Sequence, residues 1–276
     1  MMSRSILITG TSRGLGAATM HILIERGYRV FGTVRSTKDG DRIRAGGAEP
    51  VILDLTSTAS IKAAYRHVTD ALSGEGLWGL VNNAGIPAMG PMELIPIEQM
   101  RAAFDVNLFG LVELTQTFLP LVKATKGHII NIGSVSGFTA LPFAGPYAAT
   151  KFALEAVSDS MRRELIPAGV RVTLVQPGSC NTDIWNKIEK LNLEFLRGTV
   201  YEGVAEPVRQ RVIASGRNGI PAKRVAQAIL KVLESAHPPT RVLVVRSRFK
   251  TRLMRLLPDK AVDRLIARTL WREIAR

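Results

Sequence analysis

The sequence predicts an α/β fold, in which a doubly wound parallel sheet of seven strands carries helices on both faces within a single domain. Short β-branched runs alternate with helical stretches along most of the chain, the order produced by parallel strands joined through crossover helices. The runs are apolar at nearly every residue, as in strands that are covered on both faces. With 276 residues, 46% hydrophobic and 22% charged, the chain is long enough for one large core.

The strands are predicted, in chain order, at residues 6–8, 28–34, 50–53, 79–82, 128–132, 170–175 and 241–245. Helices are predicted at residues 14–26, 57–72, 97–123, 147–166 and 221–235, where the runs are longer. The least regular stretch, residues 180–219, is interrupted by Gly198, Gly203, Pro207, Gly216 and Gly219. Because ordinary connections are much shorter, we expect this stretch to be a lid over a site.

The positive charge is concentrated near the end of the chain. The net charge is +14, and residues 241–276 hold eleven Arg or Lys against three Asp or Glu. We expect a domain over residues 1–247, then a basic helical extension over residues 248–276 that breaks at Pro258. Apolar and basic stripes recur there at helical spacing: Phe249, Leu253, Leu256 and Leu257, then Val262, Leu265, Ile266 and Leu270, with Arg264, Arg268 and Arg272. The apolar faces either cover the domain or a second subunit, or contact acidic lipid as a peripheral membrane surface.

Several classes of protein are not expected. The single cysteine, Cys180, allows no internal disulfide and no cysteine-rich metal site, and the four histidines lack HExxH spacing, so we expect no metal. The chain shows no secretory signal pattern and no apolar run long enough to span a membrane, which predicts a cytoplasmic protein. No segment resembles a nucleic-acid recognition module, so no nucleic-acid partner is expected.

A glycine-rich turn, Thr9-Gly10-Thr11-Ser12-Arg13-Gly14-Leu15-Gly16, follows the first strand and opens the first helix. Glycines there let the backbone approach a pyrophosphate, which then lies at a helix N-terminus. The spacing is GxxxGxG, which differs from GxGxxG, and no Gly-Lys-Ser/Thr follows as in a nucleoside-triphosphate loop. The alternative is an ordinary glycine-rich turn without a ligand.

A second pattern places three polar side chains near one strand end. Tyr147 and Lys151 are four residues apart and share a helical face. A nearby ammonium stabilises a phenolate, which suits an acid/base group. Ser134 stands just past the fifth strand, at the edge where open α/β sheets bind ligands. The alternatives are a solvated lysine and an ordinary turn serine.

Other polar residues follow the strand ends. Asn83, Ala84 and Gly85 end the fourth strand, and Asn107 lies inside a predicted helix, where asparagine is mildly unfavourable. The run Pro177–Thr182 ends the sixth strand; its threonine binds a ligand amide or simply caps the next segment of the chain.

Together these motifs, in this order and spacing, resemble the short-chain dehydrogenase/reductase family over residues 4–245. The resemblance implies a Rossmann-like domain and hydride transfer between a nicotinamide cofactor and a carbonyl or alcohol carbon. It implies that Tyr147 is the acid/base, that Lys151 lowers its pKa and holds the nicotinamide ribose, and that Ser134 orients the substrate oxygen. Asn107 is implied to hold a water that links Lys151 to solvent.

The resemblance also implies the cofactor contacts. They are Gly10, Ser12, Arg13, Gly14, Leu15, Gly16, Arg35, Asp54, Leu55, Asn83, Ala84, Gly85, Tyr147, Lys151, Pro177, Gly178 and Thr182. By similarity, Val34 occupies the place of the carboxylate that would bind a ribose 2′-hydroxyl, and Arg35 follows it. Because Arg13 offers a second guanidinium for a 2′-phosphate, we predict NADP(H) over NAD(H).

The predicted substrate is a small apolar carbonyl or alcohol compound, since apolar residues 138–143, Met89, Trp185 and the lid are expected around the pocket. Within the family, the chain looks most like the hydroxysteroid and retinol dehydrogenase branch, and a homodimer or homotetramer is expected. The alternative function is a non-catalytic NADP(H)-binding regulatory protein, which would usually have lost the tyrosine or the lysine.

Overall fold

The computed structural model describes residues 4–268 and confirms the predicted fold class. Seven parallel strands form one sheet in the order β3-β2-β1-β4-β5-β6-β9. The strands are β1 Ser5–Ile8, β2 Arg29–Val34, β3 Glu49–Ile52, β4 Gly79–Asn82, β5 His128–Ile132, β6 Arg171–Pro177, β7 Cys180–Asn181, β8 Ile220–Pro221 and β9 Arg241–Val244. The short strands β7 and β8 pair with each other outside the main sheet.

The helices are α1 Gly14–Glu25, α2 Thr37–Ala45, α3 Thr58–Leu72, α4 Ile97–Phe104, α5 Gly110–Ala124, α6 Gly145–Glu164, α7 Ile184–Glu189, α8 Glu202–Arg217, α9 Ala222–Glu234, α10 Arg248–Leu256 and α11 Asp259–Ile266. Alternate residues of β1 supply opposite faces of the sheet, as strand geometry requires. Ile6 and Ile8 pack in the core beneath α1 and α9, whereas Leu7 packs beneath α3 and α5. The sheet is therefore covered on both faces, which explains its continuous apolar runs.

Strands β1 and β4 are parallel neighbours in the sheet. The strand order reverses between them, since β2 and β3 lie on one side and β5 and β6 on the other. Open α/β sheets bind ligands in the crevice outside the carboxyl ends of the strands at this reversal. The glycine-rich turn follows β1 and the Asn83–Gly85 segment follows β4, so both lie at this crevice.

The helix predictions were wrong in three places. No helix was predicted for α2, because only Gly40 and Ile43 are buried in it and it carries no apolar stripe. The predicted helix 97–123 contains a π-helical segment, Asp105–Phe109, between α4 and α5. The stretch 180–219 contains the 16-residue helix α8 despite its helix breakers, because regularly spaced apolar residues bury one face of α8.

The C-terminal residues form two short helices that break at Pro258, as predicted. The predicted positions Leu270 and Arg272 lie outside the described residues. Phe249, Leu253 and Leu256 on α10 are exposed. Within residues 4–268, no helix is long and apolar enough to cross a membrane.

Candidate active site

The glycine-rich turn has the shape of a phosphate cradle. Gly10 and Gly14 adopt left-handed conformations, with φ of 72° and 63°, which glycine adopts without strain. A Cβ on Gly16 would lie 2.1 Å from the carbonyl oxygen of Gly10, so only glycine fits there. The first turn of α1 holds no acidic residue and its N-cap makes no side-chain cap. The free N–H groups at this helix end therefore suit an anion, which fits a dinucleotide pyrophosphate.

The predicted Asn83–Gly85 segment is bonded to this turn. The Thr9 hydroxyl oxygen accepts hydrogen bonds from the backbone N–H groups of Asn83 and Ala84, at 2.8 and 2.9 Å. The Asn83 side-chain amide donates to the carbonyl oxygens of Thr9 and Gly10, at 2.8 and 3.2 Å. Two motifs more than 70 residues apart thus form one rigid wall of the crevice. Thr9 was not among the predicted site residues.

The predicted catalytic side chains converge beside the end of β5. Ser134 and Tyr147 are joined by a side-chain hydrogen bond, and the Ser134 oxygen also accepts one from the backbone N–H of Ser136 at 3.0 Å. Lys151 is 5% exposed, and its Nζ donates to the carbonyl oxygen of Ile132 at 2.7 Å. That Nζ lies 5.7 Å from the centre of the Tyr147 ring. The i, i+4 spacing places both side chains on one face of α6, as predicted.

The predicted lowering of the Tyr147 pKa by Lys151 is not among the effects that act on Tyr147 in the protein alone, and it stays a prediction. Burial raises the pKa of Tyr147 to about 12, although the hydrogen bond with Ser134 acts in the opposite direction. Burial lowers the pKa of Lys151 to about 8. Desolvation disfavours the charged form of each group, and for Tyr147 it outweighs the hydrogen bond with Ser134. Tyr147 therefore keeps its proton at neutral pH.

Asn107 lies in the π-helical segment and is fully buried. Its Oδ1 accepts from the backbone N–H of Ile86 at 2.8 Å, and its Nδ2 donates to the Ile86 carbonyl at 3.0 Å and to the Thr150 hydroxyl at 3.2 Å. The side chain of Asn107 therefore ties the segment after β4 to the catalytic helix α6. Its predicted role in holding a water stays a prediction. Thr150 was missed, because the contact joins positions 43 residues apart.

The stretch 180–219, which was predicted to be a lid and is called the lid below, touches the glycine-rich turn at its start. A Cβ on Gly14 would lie 3.4 Å from the Cβ of Thr182, so these two predicted cofactor contacts are neighbours. Nearby, the backbone N–H of Gly178 donates to the Val244 carbonyl at 2.9 Å, which ties the end of β6 to β9. Pro177, the last residue of β6, is buried in the sheet.

The turn is also held by α2. The Arg42 Nη2 donates to the carbonyl oxygen of Ser12 at 2.6 Å and pairs with Asp39 at 2.7 Å. Arg42 was missed, because the sequence shows no sign of α2. Leu15, the second residue of α1, packs partly buried against the core.

The residues expected around the adenosine end of the cofactor differ in exposure and in hydrogen bonding. The Asp54 carboxylate is engaged locally by the N–H and hydroxyl of Thr56, at 2.9 and 2.8 Å, and these bonds lower its pKa. Leu55 is 8% exposed. Arg13 and Arg35 are exposed. Val34 is only 3% exposed and belongs to the core. That it occupies the place of a ribose-binding carboxylate stays a prediction.

Several residues expected to line the substrate pocket pack instead against apolar residues of the lid. Met89 and Phe143 are buried against lid residues that include Leu196 and Val204. Trp185 is partly buried, and its indole N–H donates to the Cys180 carbonyl at 2.6 Å. The lid is therefore attached to the domain through an apolar cluster of its own.

Comparison with known proteins agrees with this geometry. The family model for short chain dehydrogenase matches residues 4–192. The chain belongs to the short-chain dehydrogenase family, and it is an oxidoreductase of the kind that acts on CH–OH or carbonyl groups.

Its relatives include enzymes with different names. It is 31% identical to an NADPH-dependent 3-dehydrocapnine reductase from Ornithobacterium rhinotracheale, over 97% of each chain. It is 35% identical to retinol dehydrogenase 16 of Rattus norvegicus, over 87% of this chain and 80% of the relative. The predicted likeness to the retinol dehydrogenase branch is thus confirmed.

Two solved bacterial structures share the fold. A short chain dehydrogenase from Burkholderia cenocepacia in complex with NADP has a TM-score of 0.74 and 25% identity, with 96% of this chain and 97% of that chain covered. One from Burkholderia phymatum in complex with NAD has a TM-score of 0.79 and 20% identity, with 95% and 94% covered.

Proposed function

We propose that the protein is an NADP(H)-dependent oxidoreductase that interconverts a carbonyl and an alcohol on an apolar substrate, such as a ketone, an aldehyde or a steroid- or retinoid-like compound. The observation that carries this proposal is the group formed by Ser134, Tyr147 and Lys151 at the end of β5, beside a glycine-rich turn that fits a dinucleotide. A phenol that keeps its proton and is only partly buried, next to a second hydroxyl, is suited to donate to a carbonyl oxygen.

The hydrogen bonds show which donors of Ser134 and Lys151 are already used and which remain for a ligand. The Ser134 oxygen already accepts from Ser136, so its own hydrogen is available to the Tyr147 oxygen or to the substrate oxygen. In reduction, Tyr147 gives its proton to the substrate oxygen and becomes a phenolate; in oxidation, the phenolate form of Tyr147 takes the alcohol proton. Lys151 uses one N–H on Ile132, which leaves two donors for a ribose hydroxyl and the phenolic oxygen. NADP(H), when bound, supplies or accepts the hydride.

The preference for NADP(H) rests on Arg13 and Arg35. Both are exposed, and within residues 4–268 neither forms an ion pair with a carboxylate. Two free guanidinium groups near the end of β2 suit a 2′-phosphate through charge-assisted hydrogen bonds. A relative described as NADPH-dependent supports the same choice.

The cofactor proposal is tested with Arg35→Ala. We expect the Kd for NADPH to rise by about 10- to 100-fold, from the loss of one charge-assisted contact, while the Kd for NADH stays unchanged. Arg44→Ala is the matched control, because Arg44 is an exposed arginine on α2 that pairs with Asp41. Equal affinity of the wild type for NADPH and NADH would contradict the proposal.

The apolar substrate is supported by the lid, whose inner side forms an apolar cluster with Met89 and Phe143. A panel of aryl, long-chain, steroid and retinoid carbonyl compounds with NADPH tests the substrate class, and turnover confined to small polar ketones would contradict it. NADPH binding without turnover of any compound would favour the alternative, a non-catalytic NADP(H)-binding regulator. The retained Tyr147 and Lys151 favour the enzyme.

We also propose a homo-oligomer, a dimer or a tetramer. Phe109 and Phe152 are 60% and 45% exposed, and they lie at the start of α5 and on the adjoining α6, where an apolar cluster already joins the two helices. Sedimentation velocity tests this. A monomeric wild type would contradict it, and Phe109→Ser is expected to weaken the assembly.

For the C-terminal extension, residues 248–276, we propose peripheral contact between an otherwise cytoplasmic protein and an anionic membrane. The exposed Phe249, Leu253 and Leu256 lie at i, i+4 and i+7 on α10, between cationic side chains, as in helices that lie on lipid surfaces. The Arg255 guanidinium lies 5.1 Å from the centre of the Phe138 ring, which places α10 beside the segment after Ser134. An apolar substrate concentrated in lipid would then meet the protein near its site.

Vesicle co-sedimentation tests the membrane contact. We expect binding to vesicles that contain phosphatidylglycerol, weak binding to phosphatidylcholine alone, and loss of binding in Phe249→Ser/Leu253→Ser. The control is Val200→Ser, because Val200 is 83% exposed elsewhere on the surface. If the double variant changes the oligomeric state but not lipid binding, the face covers a second copy instead.

A further inference from the structure

The lid helix α7 is held in place beside the glycine-rich turn. Thr182 packs against Gly14, and α7 begins two residues later. Its Trp185 is anchored by the hydrogen bond to Cys180 and by packing against Gly216 of α8. At the other end of α7, Glu189 pairs with Arg217 of α8 at 2.9 Å.

Helix α7 carries a cation, Lys187, on the face opposite Trp185. Lys187 follows Trp185 by two residues, which turns it about 200° around the helix and away from α8. The side chain is exposed, yet partial burial of its ammonium and the electrostatic field of Arg35 and Arg13 lower its pKa.

These three cations come from three segments that meet at the glycine-rich turn. Thr182, five residues before Lys187, packs against Gly14, the neighbour of Arg13. Thr33, two residues before Arg35, accepts a hydrogen bond from the Gly10 N–H of the same turn at 3.0 Å.

Two carboxylates near these cations are already engaged. Asp39 pairs with Arg42 and is bonded to Ser36, and Asp54, which lies in the field of Arg35, is bonded to Thr56. Within residues 4–268, Lys187 forms no ion pair with a carboxylate. Three like charges repel one another, so an anion bound between them is stabilised by all three.

We propose that Lys187 is a third ligand of the cofactor 2′-phosphate, next to Arg13 and Arg35, and that it ties the lid to the glycine-rich turn when NADP(H) binds. The inference rests on the proposed NADP(H) preference and adds the lid to it. A lysine is a point charge on a flexible stem, so it reaches a phosphate without a fixed fork geometry. Because the contact exists only with the lid in place, Lys187 favours the closed lid when the 2′-phosphate is bound.

The test compares two fragments that lack the nicotinamide and differ only in the 2′-phosphate, 2′,5′-ADP and 5′-AMP, by titration calorimetry. In Lys187→Gln we expect the Kd for 2′,5′-ADP to rise about tenfold, the loss of one charged contact, with no change for 5′-AMP. Lys190→Gln is the matched control, because Lys190 is an exposed lysine at the end of the same helix. Since both lysines are on the surface, circular dichroism is expected to show unchanged folding.

The lid itself gives a second readout. In the wild type, 2′,5′-ADP is expected to slow chymotrypsin cleavage within residues 180–219, and this protection is expected to be lost in Lys187→Gln but kept in Lys190→Gln. An unchanged ratio of the two Kd values, or equal weakening of both fragments, overturns the role of Lys187 while leaving the NADP(H) preference intact. Equal binding of both fragments by the wild type overturns the preference itself and the inference with it.

Discussion

The two sides of the crevice are built in opposite ways. On the catalytic side, Lys151 and Asn107 are buried and their hydrogen bonds go to the protein itself. On the phosphate side, Arg13, Arg35 and Lys187 are exposed and form no ion pair within the described chain. The difference teaches that the reacting groups are positioned before any ligand arrives, whereas the recognition groups are left for the ligand to complete.

A buried polar network supports the catalytic side. The Asn82 side chain donates to Asn131 and to Thr115, at 2.8 and 2.9 Å, and Asn131 donates to Ser158 on α6 at 2.9 Å. These bonds link β4, β5, α5 and the catalytic helix beneath the site. These bonds favour a single arrangement of the side chains, because each lost partner leaves a costly unpaired group. Within residues 4–268, the Asn82 Oδ1 is buried without a partner.

The largest expected effect is on the catalytic side. Tyr147→Phe removes the transferable proton and keeps the ring, so we expect turnover to fall by about 100- to 10,000-fold. The Kd for NADPH is expected to stay within about twofold, because the phosphate side is untouched. Steady-state kinetics and calorimetry measure the two quantities. Full activity in this variant would remove Tyr147 from the catalytic role.

The glycine-rich turn joins the two sides, and Gly16→Ala tests its close approach. The new Cβ would lie 2.1 Å from the Gly10 carbonyl oxygen, so we expect a loss of stability of about 1–3 kcal/mol and weaker NADPH binding. Gly203→Ala is the control, since a Cβ there meets nothing within 4 Å; on α8 it is expected to stabilise by about 0.5–1 kcal/mol. Thermal and urea unfolding check both, and a neutral Gly16→Ala would mean that the turn relaxes freely.

The pH dependence of kcat/KM tests the role of the buried cation, Lys151. Burial lowers the pKa of Lys151 to about 8, so we expect kcat/KM for reduction to fall about tenfold per pH unit above that value as the ammonium loses its proton. Tyr147, with a pKa raised to about 12, keeps its proton throughout this range. A flat profile up to pH 10 would contradict the need for a charged Lys151.

The lowered pKa of Lys151 also affects the free energy of unfolding. Between pH 8 and the ordinary lysine pKa of 10.5, the unfolded chain binds a proton that folded Lys151 does not. The contribution of Lys151 to the free energy of unfolding therefore rises with pH in this window. In Lys151→Met this rise is expected to disappear, which urea unfolding at pH 7 and pH 9.5 measures.

The smallest expected effect concerns salt. Because the phosphate side relies on exposed charges, raising the salt from 50 to 500 mM is expected to weaken 2′,5′-ADP binding by about three- to tenfold. The turnover number at saturating substrates is expected to change less than twofold, since Lys151, the charged catalytic group, is buried. Equal salt sensitivity of both would erase the contrast between the two sides.

The sequence was sufficient to predict those features of the fold and the site that depend on a local pattern of residues. The apolar runs identify the strands of the sheet, and the motifs at strand ends identify Ser134, Tyr147 and the glycine-rich turn. Contacts between distant segments left no such signal: Thr150 on Asn107 and Lys187 near Arg13 depend on how helices pack. The raised pKa of Tyr147 was missed for the same reason, because burial is a property of the folded chain.

The π-helical segment Asp105–Phe109 holds one residue more per turn than the helices on either side of it. Such a segment absorbs a single inserted residue without rotating the next helix, so α4 and α5 keep their packed faces. The inserted length lets Asn107 reach the Ile86 backbone and Thr150 at once. Deleting one residue here would therefore leave a regular helix that still packs, but with its polar bridge to α6 out of phase.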